Sequence, residues 1–206
     1  MNSSLTIVAV GAHPDDIELG CGGSLAYLIS RGAKVINVIV TNGEKSGDSK
    51  IRKEEAIKAA KVIGVDKVYF IDLKDTHIQE DARVCIDFLE KINAEYNPGM
   101  VFTHSVKDVH QDHQATYNCS LIAFRRTPSI LMYEIPGTFS SFAPSHFFDI
   151  SDYLATKKEA LDCYHSQNTK NFMEYQTVID IASYRGRQCN IQLAEAFETV
   201  RFLSFL

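Results

Sequence analysis

Apolar residues along this chain gather into four short runs, each bounded by Gly, Pro, Asn or Asp: LTIVAV (5–10), KVINVIVT (34–41), KVYFID (67–72) and GMVFTHS (99–105). The runs are rich in Val, Ile and Phe and nearly continuous rather than alternating. Parallel strands covered on both faces read this way. Between them the apolar spacing lengthens to that of a helix. A first helix is predicted over 21–31, stopping at Gly32. The second, SKIRKEEAIKAAKVIG, places Ile51, Ala56, Ala60 and Ile63 on one side and closes at Gly64, a good C-terminal stop. The third, ARVCIDFLEKINAEYN, spaces Val84, Phe88, Ile92 and Tyr96 helically and ends before Pro98. A fourth covers about 113–126. This alternation predicts an α/β fold: a mostly parallel, doubly wound sheet flanked by helices and joined by right-handed crossovers.

After Pro128 the pattern changes. ILMYEIP (130–136) and HFFDI (146–150) read as further strands, separated by a loop rich in Ser, Gly and Pro. Two helices are predicted over 153–165 and 172–205, the second interrupted near Arg185 and Gly186. With no repeat, low-complexity tract or linker, residues 1–206 read as a single domain with a C-terminal β/α elaboration.

Composition serves here mainly to exclude. The 206 residues carry 21 Lys and Arg against 26 Asp and Glu, a formal charge of −5. That argues against a nonspecific grip on nucleic acid, which needs clustered positive charge. The five cysteines, Cys21, Cys85, Cys119, Cys163 and Cys189, are odd in number and never form CxxC, so they read as thiols in a reducing compartment. MNSSLTIVAVGAHPDD has no basic leading region and reads as a first strand rather than a signal peptide. No apolar run approaches the ~20 residues of a membrane span. The expectation is a cytoplasmic protein.

The polar residues fall where such a sheet binds ligands, outside the carboxyl ends of its strands. His13, Asp15, Asp16 and Glu18 crowd into six residues after the first strand. Thr41, Asn42, Gly43 and Glu44 follow the second, and Asp72 follows the third. His104, Asp108, His110, Asp112 and His113 follow the fourth. Two histidines and a carboxylate with an open fourth position make a catalytic zinc site. A carboxylate beside the metal but not on it can take the proton from its water, and Asp15, next to Asp16, is placed for that. Each motif alone has a plainer reading. AHPDD serves equally as a helix cap, HxxH as a surface pair and TNGE as a turn. Their meeting at strand ends favours the site.

AHPDDIELGCGG, VTNGEKSGD, RKEEAIKAAKVIGV, HQDH and the YHSQ and YRG stretches follow one another over nearly the whole chain. In that order they resemble the zinc-dependent N-acetylglucosaminyl deacetylases, the LmbE-like or PIG-L family. The resemblance implies a Rossmann-like fold and removal of an acetyl group from a small-molecule N-acetylated amino sugar or a related amide. It places the metal ligands on His13, Asp16 and His113, and the general base on Asp15. His110 stabilises the oxyanion or protonates the leaving amine, Asp112 orients His110, and Arg52 contacts substrate. Arg52 reads equally as a solvated helix residue pairing with Glu54 or Glu55. Zn2+ is the implied cofactor, since imidazole suits it, with Fe2+ also compatible. The family also implies a homo-oligomer, for which the apolar FLSFL end is a candidate contact.

Two residues depart from the family pattern: Gln111 where Pro is common, and Asn190 where Gly is common. Asn tolerates a left-handed turn. YHSQ (164–167) is expected near the metal end of the sheet, whereas His77 and His146 read as ordinary loop or strand residues. Phe139, Phe142, Phe147 and Phe148 read as core or subunit packing more readily than as a sugar-stacking wall. Specificity is expected from loops 45–51, 74–81 and 138–145. Two other functions stay open: an amidase acting on a different N-acyl group, and a noncatalytic sugar-nucleotide-binding module. Against the module, no GxGxxG follows the first strand, and the acids there would repel a pyrophosphate.

Overall fold

The computed structural model describes residues 5–204. Four strands, β1 (Thr6–Gly11), β2 (Lys34–Thr41), β3 (Lys67–Leu73) and β4 (Met100–His104), alternate with four helices. These are α1 (Asp16–Ser30), α2 (Ser49–Ile63), α3 (Ala82–Tyr96) and α4 (Gln111–Ala123). Then come β5 (Ser129–Tyr133), β6 (His146–Asp149), α5 (Leu154–Asp162), a 3-10 turn (Asn171–Met173), α6 (Tyr175–Gln188) and β7 (Ala194–Arg201). One seven-stranded sheet has the order β3-β2-β1-β4-β5-β7-β6. Its first five members run parallel, and β7 is antiparallel to both β5 and β6.

The continuous apolar runs follow from burial on both faces. Ile7, Ala9, Val35 and Ile39 pack under α1 and α2 with Leu25, Ala59 and Ile63. Their neighbours Val8, Val10, Ile36 and Val38 pack on the other face against Leu89 and Ile92 of α3 and Ala115 of α4. The period of two within each strand therefore assigns alternate residues to two different cores. α5 and α6 close a third, smaller cluster around Ile150, Leu161, Val178 and Ala182.

The structure corrects two expectations. The helix expected over 172–205 ends at Gln188, and residues 194–201 form β7, a strand inserted between β5 and β6. AEAFETVR has helix-favouring Ala and Glu, but tertiary partners override that preference. Phe197 packs edge-on against Phe102 at 5.2 Å and Phe148 at 5.6 Å. The break is made at Asn190, whose φ of 63° is the left-handed turn that Asn accommodates. α1 also begins five residues earlier than expected, at Asp16. Its glycines weaken it in isolation but permit close packing: a Cβ on Gly20 would lie 2.2 Å from the Tyr133 ring. Of the FLSFL end, Phe205 lies outside the described residues with Leu206.

Candidate metal centre and catalytic pocket

The carboxyl ends of β1 and β4 bring HPDD and HQDH together. Pro14 stiffens the turn after β1, and Asp15 adopts a left-handed φ of 102° before α1 starts. The Asp16 carboxylate folds back to accept the backbone N–H of His13 at 2.7 Å. At the head of α4, the Asp112 backbone N–H donates to His110 Nδ1 at 3.2 Å, an N-cap made by a histidine ring. That cap sends His110 and His113 to the same side, with stacked rings 4.6 Å apart.

Three donor groups converge. His13 Nδ1 lies 3.3 Å from His113 Nε2 and 3.4 Å from the Asp16 carboxylate, which lies 3.5 Å from His113 Nε2. Ligands on a tetrahedral ion at bond lengths of about 2.0–2.1 Å stand about 3.3–3.4 Å apart, so the set fits zinc. The outer nitrogens strengthen the fit. His13 Nε2 lies 3.3 Å from both Asp75 and Asp112, and His113 Nδ1 lies 3.1 Å from Asp108. Ring protons on the outer nitrogens, facing those carboxylates, would leave the inner nitrogens' lone pairs for an ion. Neighbouring groups converge as well: His13 with His110 and His113, Asp16 with His104 and His113, and His13 with Asp75 and Asp112. His104 Nε2, however, is engaged by the Ala12 backbone N–H at 3.0 Å.

The local charges reflect burial and crowding. Burial pushes the Asp15 carboxyl up to about 7, although Arg52 pulls against it. Burial acts the same way on Asp16, but His113 and His104 hold it well below the usual carboxylate range. Burial would lower His13, but Asp112, Asp16 and Asp75 lift it well above an ordinary imidazole. His104 falls to about 4 through burial and the neighbouring His113. His110 is lowered by burial and by His13 and His113.

Arg52 is buried in the first turn of α2. It donates to the Gly43 carbonyl at 3.0 Å, the Pro14 carbonyl at 2.6 Å and Asp15 Oδ2 at 3.0 Å. It ties two loops together and holds Asp15. It is not a solvated helix residue paired with Glu55, whose carboxylate accepts instead from the Ser166 backbone and hydroxyl. The Asp112 carboxylate meets His13 and the Thr76 backbone N–H, and Asp112 touches His110 through its own backbone N–H.

Asp72 does not join the site: its side chain is half-exposed and paired with Lys53. Asp75, three residues later, takes that place, at 3.3 Å from His13. No spacing singles it out; the sequence points only to its loop, 74–81. Sequence reasoning also missed Lys170, whose sole signal is its nearness to YHSQ. Glu18 is fully buried, accepts from the Tyr164 hydroxyl at 2.8 Å, and is pushed up to about 7 by burial. It anchors YHSQ to α1.

His13, Asp15, Asp16, Asp75, Asp108, His110 and His113 line a cavity of about 420 Å3. Its lining also includes the apolar Leu19, Val109, Ile135 and Pro136 and the polar Lys45, Ser46, Arg52 and Lys170. Such a volume suits a small-molecule ligand.

Comparison with known proteins gives a consistent family. The family model described as PIG-L, GlcNAc-PI de-N-acetylase, matches residues 8–124. An uncharacterized deacetylase, YaiS, of Escherichia coli is 39% identical over 78% of this chain and 90% of its own length. The diacetylchitobiose deacetylase of Thermococcus kodakarensis is 26% identical over 97% of this chain and 84% of its own. Among solved structures, the conserved protein TT1542 of Thermus thermophilus superposes with a TM-score of 0.85 at 24% identity. That match covers 98% of this chain and 97% of TT1542.

Proposed function

This chain belongs to the PIG-L family, the GlcNAc-PI de-N-acetylases, and from that premise we propose that it is a zinc-dependent hydrolase removing acetyl from a small molecule containing N-acetylglucosamine. A glycoside, sugar conjugate or sugar nucleotide fits the reading. The observation that carries it is the convergence of His13, Asp16 and His113 at 3.3–3.5 Å beside a buried carboxylate, Asp15, held by Arg52.

His13, Asp16 and His113 would hold zinc, or Fe2+, which would supply Lewis acidity and lower the pKa of a bound water. Asp15, buried beside Asp16 and held by Arg52, is the carboxylate placed to accept the proton of the attacking water. Arg52 fixes the Asp15 carboxylate in place. His110 accepts the Asp112 N–H on Nδ1, so its neutral ring carries a proton on Nε2. That N–H is the donor to the developing acetamide oxyanion. Asp15 then returns its proton to the leaving nitrogen, because a bare amide anion is too basic to depart. The products are acetate and a free amine. Asp75 and Asp112 hold the His13 ring, and Asp108 holds His113.

Acetate release from N-acetylglucosamine, its glycosides and a nucleotide sugar tests this reading. The metal is stripped, then zinc is restored. Release that vanishes on stripping and returns with zinc supports it. No release from any compound by zinc-loaded protein counts against it.

A further inference from the structure

The turn that carries Asp75 is held in a conformation its own sequence resists. The His77 N–H donates to the Lys74 carbonyl at 3.1 Å, closing a four-residue turn. Thr76, at the third position of that turn, has a φ of 70°. Glycine is the residue that suits a left-handed angle there. A β-branched side chain at that angle is strained, and such strain persists only where the surroundings impose it.

Two neighbouring segments impose it. The Thr76 N–H donates to Asp112 Oδ2 at 2.7 Å, and the Thr76 carbonyl accepts from Gln111 Nε2 at 2.8 Å. The strained residue is therefore tied through its own N–H and carbonyl to the first turn of α4. On the other side the Asp75 N–H donates to Glu44 Oε1 at 2.8 Å, and Asp75 Oδ2 accepts from the Lys45 N–H at 3.0 Å. That reciprocal pair joins the turn to the loop after β2. Held from both sides, Asp75 Oδ1 reaches 3.3 Å from His13 Nε2. Asp112 lies against His13 itself. Gln111 and Glu44 differ from it: both are exposed, and neither lines the catalytic cavity. Their side chains meet the site through the turn.

We propose that Gln111 and Glu44 are positioning residues for the reaction. Together they hold Asp75 and Thr76 in the strained turn, which keeps the Asp75 carboxylate on His13 Nε2. The ring is thereby fixed with its Nδ1 facing Asp16 and His113. This rests on the metal-dependent deacetylase reading.

The test measures zinc affinity of the full chain by chelator competition, with thermal unfolding of the metal-free protein beside it. Gln111→Met keeps the side chain's length and removes its donor. Glu44→Ala removes the acceptor, and Glu44→Gln retains one. Gln111→Met and Glu44→Ala are each expected to weaken zinc binding about three- to tenfold, as loss of one hydrogen bond from the clamp implies. The metal-free Tm is expected to move by less than about 2 °C, because both positions are on the surface. Glu44→Gln is expected to stay within about twofold of the wild type in zinc affinity. Relief of the strain separates the turn from a general loosening. Glycine adopts the Thr76 backbone angle without cost. In a Thr76→Gly background, Gln111→Met is therefore expected to weaken zinc binding less than about twofold. With zinc at saturation, Gln111→Met is expected to lower kcat about threefold or more while KM stays within about twofold. Unchanged zinc affinity in Gln111→Met or in Glu44→Ala overturns the proposal. So does a full loss from Gln111→Met in the Thr76→Gly background, or a loss in Glu44→Gln equal to that in Glu44→Ala. Absence of acetate from every compound with the wild type defeats the deacetylase reading alone, and the zinc measurements still decide the turn. A wild type that takes up no zinc defeats both.

Discussion

Asp15 sits at an unusual backbone angle, φ 102°, and the Arg52 guanidinium that holds it also packs against Gly43. Gly43 has a φ of 64°, and a Cβ there would lie 1.9 Å from Arg52 Nη1. Both the backbone angle and the space therefore require glycine. Gly43→Ala should push the guanidinium off Asp15, lowering kcat/KM at least about tenfold while bound zinc per chain is unchanged. Acetate kinetics alongside metal analysis by mass spectrometry check this, and an unaltered rate would mean that Arg52 does not position Asp15. Asp112 makes a different prediction, because its carboxylate braces the His13 ring at 3.3 Å. Asp112→Asn should weaken zinc affinity about 10–100-fold in a chelator competition. Were Asp112 important only to His110, zinc affinity would hold and activity alone would fall.

At the scale of elements, β7 and α5 lock α1 in place. Glu195 of β7 accepts the Gly23 and Ser24 backbone N–H groups at 3.0 and 2.7 Å, and Lys157 of α5 pairs with Glu195 at 2.5 Å. Both side chains are about 5% exposed. Lys157→Met leaves that carboxylate buried without its cation and should cost about 3–5 kcal/mol in urea unfolding. A loss below about 1 kcal/mol would show that the backbone donors alone satisfy Glu195. This brace was not legible in the sequence. AEAFETVR reads as helix from Ala and Glu alone, and only its neighbours β5 and β6 make it a strand. The start of α1 was hidden similarly, because Gly20, Gly22 and Gly23 weaken a helix in which packing requires Gly20 and Gly23 to be small. Asp72 and Asp75 show the same limit within a loop, since backbone turns, not spacing, decide which carboxylate reaches His13. By contrast β1 to β4 were legible because burial on both faces leaves nearly unbroken apolar runs.

At the scale of the whole molecule, parallel strand order does the assembling. β1 and β4 are neighbours, so segments 100 residues apart in the chain deliver His13 and His113 to one edge. That convergence was legible from strand ends alone. Lys170 was not, because it comes from a segment after the alternating pattern ends. An ion joining the ends of β1 and α4 also links to stability: zinc at 1,000 times its dissociation constant should stabilise the fold by about 4 kcal/mol. Chelation should lower Tm and zinc should restore it, while a Tm indifferent to both would argue against a metal at these residues. Among the described residues no helix is long and apolar enough to cross a membrane. The most direct test of the account is Asp15→Asn, assayed for zinc content and acetate release on whichever N-acetyl compound the wild type cleaves. We predict one zinc per chain, as in the wild type, with kcat reduced at least about 100-fold. Wild-type turnover by zinc-loaded Asp15→Asn would contradict the assignment of Asp15 as the base, and with it the mechanism built on this site.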